Sequence, residues 1–210
     1  MSAPAEHFES AERQHQAAEL GMWVFLATEL MFFGPLFLGY AYGRWSFSEG
    51  FAAASRHTDV VIGTINTAVL LTSSLFVALG ARAVKLDRGA AARVLLLCAA
   101  GLGAVFLVLK GLEYHDEWRA HLVPWLDFRF ARPHQHAAAM FYFLYFGMTG
   151  LHAVHLTIGI AVMVVFAVRL GSGPVARLEN QIDMGALYWH FVDGIWVFLY
   201  PILYLVERHG

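Results

Sequence analysis

The sequence contains near its end the stretch Met184-Gly-Ala-Leu-Tyr-Trp-His-Phe-Val-Asp-Gly-Ile-Trp-Val-Phe-Leu-Tyr-Pro-Ile-Leu-Tyr-Leu-Val206. This run has the length that crosses a bilayer as a helix, yet it carries His190 and Asp193. Polar side chains at membrane depth are costly, so they usually face a bundle interior, where a partner, a cofactor or water holds them. The stretch therefore predicts a membrane helix with one polar face inside a bundle.

The composition of the whole chain is that of a polytopic membrane protein. Hydrophobic residues make up 59% of the 210 positions and charged residues 14%, and the mean hydropathy is +0.56. The formal net charge of −2 argues against nucleic-acid binding. The single cysteine, Cys98, excludes an internal disulfide and a thiolate metal cluster within this chain, and its apolar surroundings predict a small buried residue.

Four further apolar runs predict an all-α fold, a polytopic membrane bundle of five transmembrane helices in one domain, 20–206, after a polar N-terminal segment, 1–19. The predicted spans are about 20–42, 60–81, 94–112, 135–170 and 184–206. Pro35 and Pro201 are expected as tolerated kinks, because neighbouring helices can satisfy the freed backbone groups. The polar N-terminal segment lacks a short apolar core after a basic start, so no cleavable signal peptide is expected.

The basic residues favour a cytoplasmic N-terminus. Their densest cluster, Arg82 to Arg93, lies in the short loop between the second and third spans, and short basic loops tend to stay on the cytoplasmic side. Five spans then place the two termini on opposite sides of the membrane. The abundance of Ala, and of Arg over Lys, hints at a bacterium, so the expected location is a bacterial plasma membrane.

Glu29 is the most unusual single residue of the first span, because no Lys or Arg lies at its expected depth. An unpaired carboxylate in a low-dielectric environment is costly, so a protonated or water-bonded acid facing the bundle is expected. Two interpretations stay open. Glu29 either makes a structural hydrogen bond that fixes helix packing or takes part in proton or water handling.

The fourth span contains two histidines one helical turn apart, His152 and His155. With His190 they could form a three-histidine metal site, or two of them could hold a haem between helices. The spans lack the repeated Glu-x-x-His pattern of metal sites in helical bundles. Interhelical hydrogen bonding is therefore the favoured interpretation, with Gly147 and Gly150 allowing a neighbouring backbone to approach closely.

Other polar and aromatic positions are expected to have structural roles. Glu113 with Lys110 predicts an ion pair on the helix surface at the membrane interface. The polar residues of the second span predict further interhelical hydrogen bonds; they are Asn66, Thr67, Thr72, Ser73 and Ser74. Aromatic residues near span ends predict interfacial anchors; they include Trp23, Trp45, Trp118, Trp125 and Tyr204.

The order of these motifs resembles subunit III of the haem-copper oxidases. The motifs are Thr28-Glu-Leu-Met-Phe-Phe33, Asn66-Thr-Ala-Val-Leu-Leu71, Glu113-Tyr114, Gly150-Leu-His-Ala-Val-His155 and Tyr188-Trp-His-Phe-Val-Asp193, and they lie between Leu20 and Val206. The resemblance implies a five-helix form of the subunit. Seven-helix members have two extra N-terminal helices, and in those members a lipid-filled cleft separates the two helices from the rest.

The resemblance also implies an accessory, non-catalytic subunit of a terminal oxidase, cytochrome c oxidase, that reduces oxygen to water and pumps protons. In that family subunit III supports subunit I and its proton uptake and protects the active site from inactivation during turnover. Haem and copper would belong to subunits I and II, with no cofactor or metal on this chain. The implied partners are subunit I as the main contact, subunit II, a small subunit IV and phospholipid. Glu29 matches the family's intramembrane glutamate and Glu113 its second acidic position. The family's polar interior is matched by His152, His155, His190 and Asp193.

Several alternatives stay open at this stage. Homologous subunits accompany quinol oxidases and nitric oxide reductases. A protein of another class would be a membrane redox protein that binds haem or metal through His152, His155 and His190. A third possibility is a channel in which Glu29 lines a water path.

Overall fold

The chain folds into a bundle of long helices. The computed structural model describes residues 11–126, 128–130, 132–175 and 178–205. The helices are α1 Ala11–Ser46, α2 Ser48–Ser55, α3 Val60–Lys85, α4 Gly89–Arg119, α5 Gln135–Leu170 and α6 Glu179–Tyr200, the last continued by a π-helical turn, Pro201–Leu205. Five helices of the described part are long and apolar enough to cross a membrane. The predicted all-α class with five spans is therefore confirmed.

Most of the helices extend past the apolar runs that predicted them. Helix α1 begins at Ala11, within the segment 1–19, and α4 continues to Arg119. Hydropathy marks the part of a helix that lipid surrounds, whereas backbone hydrogen bonds continue into water. The short helix α2 was not predicted, because its eight residues are too few to span a membrane. Its buried residues Phe51 and Ala54 belong to the core.

Helices α3 and α4 form a tight antiparallel pair. Asp59 caps α3, and its carboxylate accepts hydrogen bonds from the backbone N–H groups of Val61 and Ile62 at 2.8 and 3.1 Å. Asp87 lies in the short connection after α3 with a φ of 56°, in the left-handed region that Asp tolerates better than most residues. The short loop places the basic ends of both helices side by side.

Helix α6 is central and α1 is peripheral. Helix α6 contacts α1, α3 and α5, and 50% of the residues in its most apolar window are buried, against 11% for α1. Helix α1 continues through Pro35 without a break. One side of α1 therefore faces lipid or another protein rather than this chain.

Three helices pack closely around Trp189 of α6. A Cβ atom added at Gly103 of α4 would lie 3.0 Å from the Trp189 ring, and one added at Gly159 of α5 would lie 3.1 Å from it. These glycines let α4 and α5 close on the indole, in the way that small residues permit close contact in membrane bundles. The expectation for Gly147 is wrong, because a Cβ there would have no neighbour within 4 Å. At Gly150 the nearest atom is the Tyr114 hydroxyl at 3.8 Å.

The solvent exposure of individual side chains corrects two further expectations. Cys98 is exposed, not buried, because it lies on the outer face of α4. The tryptophans predicted as anchors are exposed, namely Trp23, Trp45, Trp118 and Trp125. Tyr204 is fully buried, so its predicted role as an interfacial anchor is wrong.

Candidate functional site

A network of charged and hydroxyl groups is buried between α4, α5 and the π-helical turn. The ammonium group of Lys110 donates to Glu113 Oε2 at 2.9 Å, to the Tyr145 hydroxyl at 2.6 Å and to the Tyr204 hydroxyl at 2.5 Å. Both tyrosines in turn donate to Glu113 Oε1, at 2.8 and 2.7 Å. Lys110 is 2% exposed and Glu113 4%. We call these four residues the Lys110 network.

The Lys110 network corrects the prediction of a surface ion pair. The pair between Lys110 and Glu113 exists, but it lies inside the bundle and has hydroxyl partners from two other elements. Removing two charges from water is expensive, and hydrogen bonds to the remaining donors and acceptors are required to offset the cost. Tyr145 and Tyr204 supply those bonds, which explains why Tyr204 faces inward.

The spacing of residues along α4 could have predicted that this ion pair is buried. Gly103, Phe106, Lys110, Glu113 and Glu117 follow one another at alternating intervals of three and four residues, and all are buried. Such spacing marks one face of a helix. The three charged residues therefore lie on the same buried face of α4 as the glycine and the phenylalanine. The sequence motifs do not include Glu117 or Tyr145, and they do not indicate the inward position of Tyr204.

Glu29 is paired with His155 across α1 and α5. The His155 Nε2 atom lies 2.9 Å from Glu29 Oε2, and Nδ1 lies 2.9 Å from the carbonyl oxygen of Leu151. A carbonyl only accepts, so Nδ1 carries a proton and donates it. One further proton then lies between Nε2 and the carboxyl group. The carboxylate expected to lack a charged partner therefore has a histidine partner, and His155 makes the interhelical hydrogen bond that was predicted.

The pair of Glu29 and His155 lines a groove of about 610 Å³ between α1, α5 and α6. The groove is mainly apolar, with Phe25, Ile158 and Phe166 among its lining residues. The hydroxyl group of Tyr188, which also lines it, donates to the His155 carbonyl oxygen at 3.0 Å. The polar pair therefore lies beside a mainly apolar space.

Replacing Glu29 separates the two interpretations of this residue. Glu29→Gln keeps the volume and one hydrogen-bonding group toward His155, so we expect full assembly of the chain into the oxidase complex that the motif resemblance implies. Glu29→Leu removes the partner of Nε2 and is expected to cost about 1–3 kcal/mol. Thermal melting of the purified complex measures both. Loss of the complex with Glu29→Gln would assign Glu29 to helix packing alone.

His152 is fully buried between aromatic rings. Its ring centroid lies 5.5 Å from that of Phe106 on α4 and 5.2 Å from that of Trp196 on α6. Neither ring nitrogen has a hydrogen-bond partner among the described residues. The predicted interhelical hydrogen bond is therefore wrong for His152, whose contacts are with aromatic faces and edges.

His190 belongs to a polar seam between α3 and α6. Its Nδ1 atom lies 2.7 Å from the Ser74 hydroxyl. Farther along the same two helices, Trp196 Nε1 donates to the Thr67 hydroxyl at 3.1 Å. Asp193, one turn after His190, is buried, 7% exposed. The seam contains two of the interhelical hydrogen bonds predicted for the second span.

The other polar residues of the second span differ in their partners. Ser73 donates to the carbonyl oxygen of Ala99 on α4 at 3.1 Å, as an interhelical bond. Thr72 instead donates to Ala68 of its own helix. The side-chain amide of Asn66 is fully buried and has no hydrogen-bond partner within the described part of the chain.

The three histidines do not converge. His155 faces Glu29 on α1, His190 faces Ser74 on α3, and His152 lies between two aromatic rings. Among residues 11–126, 128–130, 132–175 and 178–205, no group of three or more His, Cys, Asp or Glu side chains could hold a metal ion. The arrangement does not fit the alternative of a three-histidine metal site.

Comparison with known proteins decides the family. The family model described as cytochrome c oxidase subunit III matches residues 7–207. The chain belongs to this family. A cytochrome c oxidase subunit 3 from Thermostichus vulcanus is 32% identical over 191 residues, which cover 90% of this chain and 87% of that protein. The subunit III resemblance of the sequence motifs is thereby confirmed.

Two other relatives are named as subunits of different oxidases. A haem-copper oxidase subunit I+III from Aeropyrum pernix is 28% identical over 193 residues, covering 88% of this chain and 22% of that longer protein. A cytochrome bo(3) ubiquinol oxidase subunit 3 from Pseudomonas putida is 27% identical over 196 residues, covering 91% and 86%. The family role is that of an accessory subunit in an oxidase complex.

Proposed function

We propose that this chain is the third, accessory subunit of a haem-copper terminal oxidase that takes electrons from cytochrome c and reduces oxygen to water. The observation that carries the proposal is the family match over residues 7–207. In this role the chain carries no redox centre of its own. Haem and copper belong to partner subunits, where the chemistry and proton pumping take place.

The main partner is subunit I. This proposal is supported by the relative from Aeropyrum pernix, whose name, subunit I+III, joins the two subunits in one chain. The outward side of α1 offers an apolar surface for such contact, with Met31, Phe32 and Leu38 among its exposed side chains. Subunit II, a small subunit IV and phospholipid are further proposed partners.

The proposed location is the plasma membrane of a bacterium, with the N-terminus in the cytoplasm. The basic residues between α3 and α4 support this orientation, because Arg82, Lys85 and Arg88 are clustered in a short connection. The Lys110 network then lies toward the opposite face, near the C-terminal end of α4 and the N-terminal half of α5.

The role of Glu29, Glu113 and the polar interior is to support subunit I rather than to catalyse. We place His152, His155, His190 and Asp193 in the same supporting role, as groups that fix helix positions beside subunit I. The pair of Glu29 and His155 holds a proton at the edge of the groove, which is consistent with assistance to proton uptake by the complex.

Removal of the chain tests this function. The oxidase is purified with and without it, and oxygen consumption with reduced cytochrome c is followed over repeated turnovers. We expect an active enzyme at the start in both preparations and faster loss of activity without the chain. Addition of the purified chain should slow that loss. An unchanged rate of inactivation contradicts the supporting role, and activity with a quinol but not with cytochrome c assigns the complex to the quinol oxidases.

A further inference from the structure

Glu117 is a buried carboxyl group that the Lys110 network does not include. It follows Glu113 by one helical turn on α4 and is 6% exposed. Neither carboxyl oxygen has a hydrogen-bond partner among the described residues. Buried polar groups almost always have such partners, and a buried charge without one is costly. An ionised Glu117 would therefore be costly at this buried position.

The neighbouring donors are already used. An ammonium group has three protons to donate, and those of Lys110 go to Glu113, Tyr145 and Tyr204. A tyrosine has one proton to donate, and the hydroxyl groups of Tyr145 and Tyr204 both give theirs to Glu113 Oε1. The network is complete around Glu113. The Tyr145 hydroxyl also approaches Glu117, but its one proton is donated to Glu113.

The charges of the network also balance without Glu117. Lys110 and Glu113 form an ion pair at 2.9 Å, and their two charges cancel. Lys110 is the cation that acts on Glu117, while Glu113 and Asp116 act on it as anions. The groups that face it from α5 and the π-helical turn are tyrosines, namely Tyr142, Tyr145 and Tyr204. An ionised Glu117 would leave the buried cluster with a net negative charge.

We propose that Glu117 is a proton-binding site inside this subunit, where the carboxyl group holds one proton while Glu113 is the ionised partner of Lys110. A neutral carboxylic acid removes the uncompensated charge and converts Glu117 into a donor. The hydroxyl group of Tyr142, which is also buried and without a hydrogen-bond partner in the described part of the chain, faces the same region. Two carboxyl groups one turn apart thus have different protonation states because their donors differ.

Infrared spectroscopy tests the assignment on the full-length chain, purified with the subunits that accompany it. The variants are Glu117→Gln and Glu113→Gln, two substitutions on the same face of α4. We expect the spectrum of Glu117→Gln to lack one carbonyl stretching band of a protonated carboxylic acid, a band that shifts in heavy water. In Glu113→Gln the same charge balance predicts that Glu117 ionises as the new counter-ion of Lys110, so that spectrum should lack the acid band as well.

Assembly supplies a second readout. Gln is close in shape to a neutral Glu, so we expect Glu117→Gln to assemble in the wild-type amount. Glu113→Gln should assemble in a reduced amount, because Tyr145 and Tyr204 lose the carboxylate that accepts their protons. Loss of carboxylate absorption with Glu117→Gln, or failure of that variant to assemble, overturns the proposal. The result is independent of the electron donor and of the proposed function, because the band belongs to this chain.

Discussion

Lys110→Met is expected to destabilise the subunit by about 3–5 kcal/mol, the usual cost of breaking a buried ion pair by removing one partner. The substitution leaves the Glu113 carboxylate buried without its cation, and it removes the donor shared by Tyr145 and Tyr204. The amount of subunit retained in the purified complex and the midpoint of its thermal unfolding measure the effect.

The matched control is the same substitution at an exposed pair. Lys85 lies 3.0 Å from Asp183, and its side chain is 53% exposed. Exposed pairs contribute about 0–1 kcal/mol, so Lys85→Met should leave assembly and melting nearly unchanged. The double variant Lys110→Met with Glu113→Leu should recover part of the loss, because an apolar pair can replace a buried ion pair. Equal effects of Lys110→Met and Lys85→Met would mean that the buried network contributes little.

Trp189→Ala should have an effect of similar size for a different reason. The indole is 1% exposed and lies between the glycines of two helices, Gly103 and Gly159. Truncation leaves a cavity that the backbone cannot easily close, and such changes cost about 3–5 kcal/mol. The melting temperature of the complex should fall, and the helices α4, α5 and α6 should become more accessible to proteases.

Trp23→Ala is the control for this substitution. Its side chain is 56% exposed on α1, where the loss of contacts within the chain is small and surface changes usually stay within about 0.5 kcal/mol. A larger loss with Trp23→Ala than with Trp189→Ala would contradict the assignment of Trp189 to the packing centre. It would also identify Trp23 as part of a contact with a partner subunit.

Hydropathy was sufficient to predict the number of spans, because a bilayer requires a long apolar run for each crossing. It could not give the helix ends, since α1 and α4 continue into polar sequence as hydrogen-bonded helix. The short helix α2 has no membrane-length signal at all. The family was also accessible from the sequence, because its five motifs follow one another in order from Glu29 to Asp193.

The contacts of the polar residues could not be read in the same way. Lys110 and Glu113 lie near the end of an apolar run, which led to the prediction of a surface pair. The structure buries them because Tyr145 and Tyr204 arrive from elements 35 and 94 residues away from Lys110 along the chain. Partners at such separation have no local signal. The spacing of three and four residues on α4 was the available clue.

The histidines illustrate the same limit. His152 and His155 are one turn apart and were interpreted together, yet one lies between aromatic rings and the other binds Glu29. Residues three or four positions apart on a helix are neighbours, but their side chains need not contact the same partner. A metal site requires convergence of several elements on one point, and only the packing of the helices decides that.

Reduced-minus-oxidised spectra of the intact complex and of this chain after its removal show whether this subunit carries a redox centre. A tagged copy is isolated from native membranes in mild detergent, its spectrum is recorded, and the chain is then stripped from the assembly. We predict haem bands in the intact complex and in the remaining subunits, with a colourless stripped chain. Haem bands that stay with the stripped chain would overturn the accessory role and assign its histidines to a redox centre.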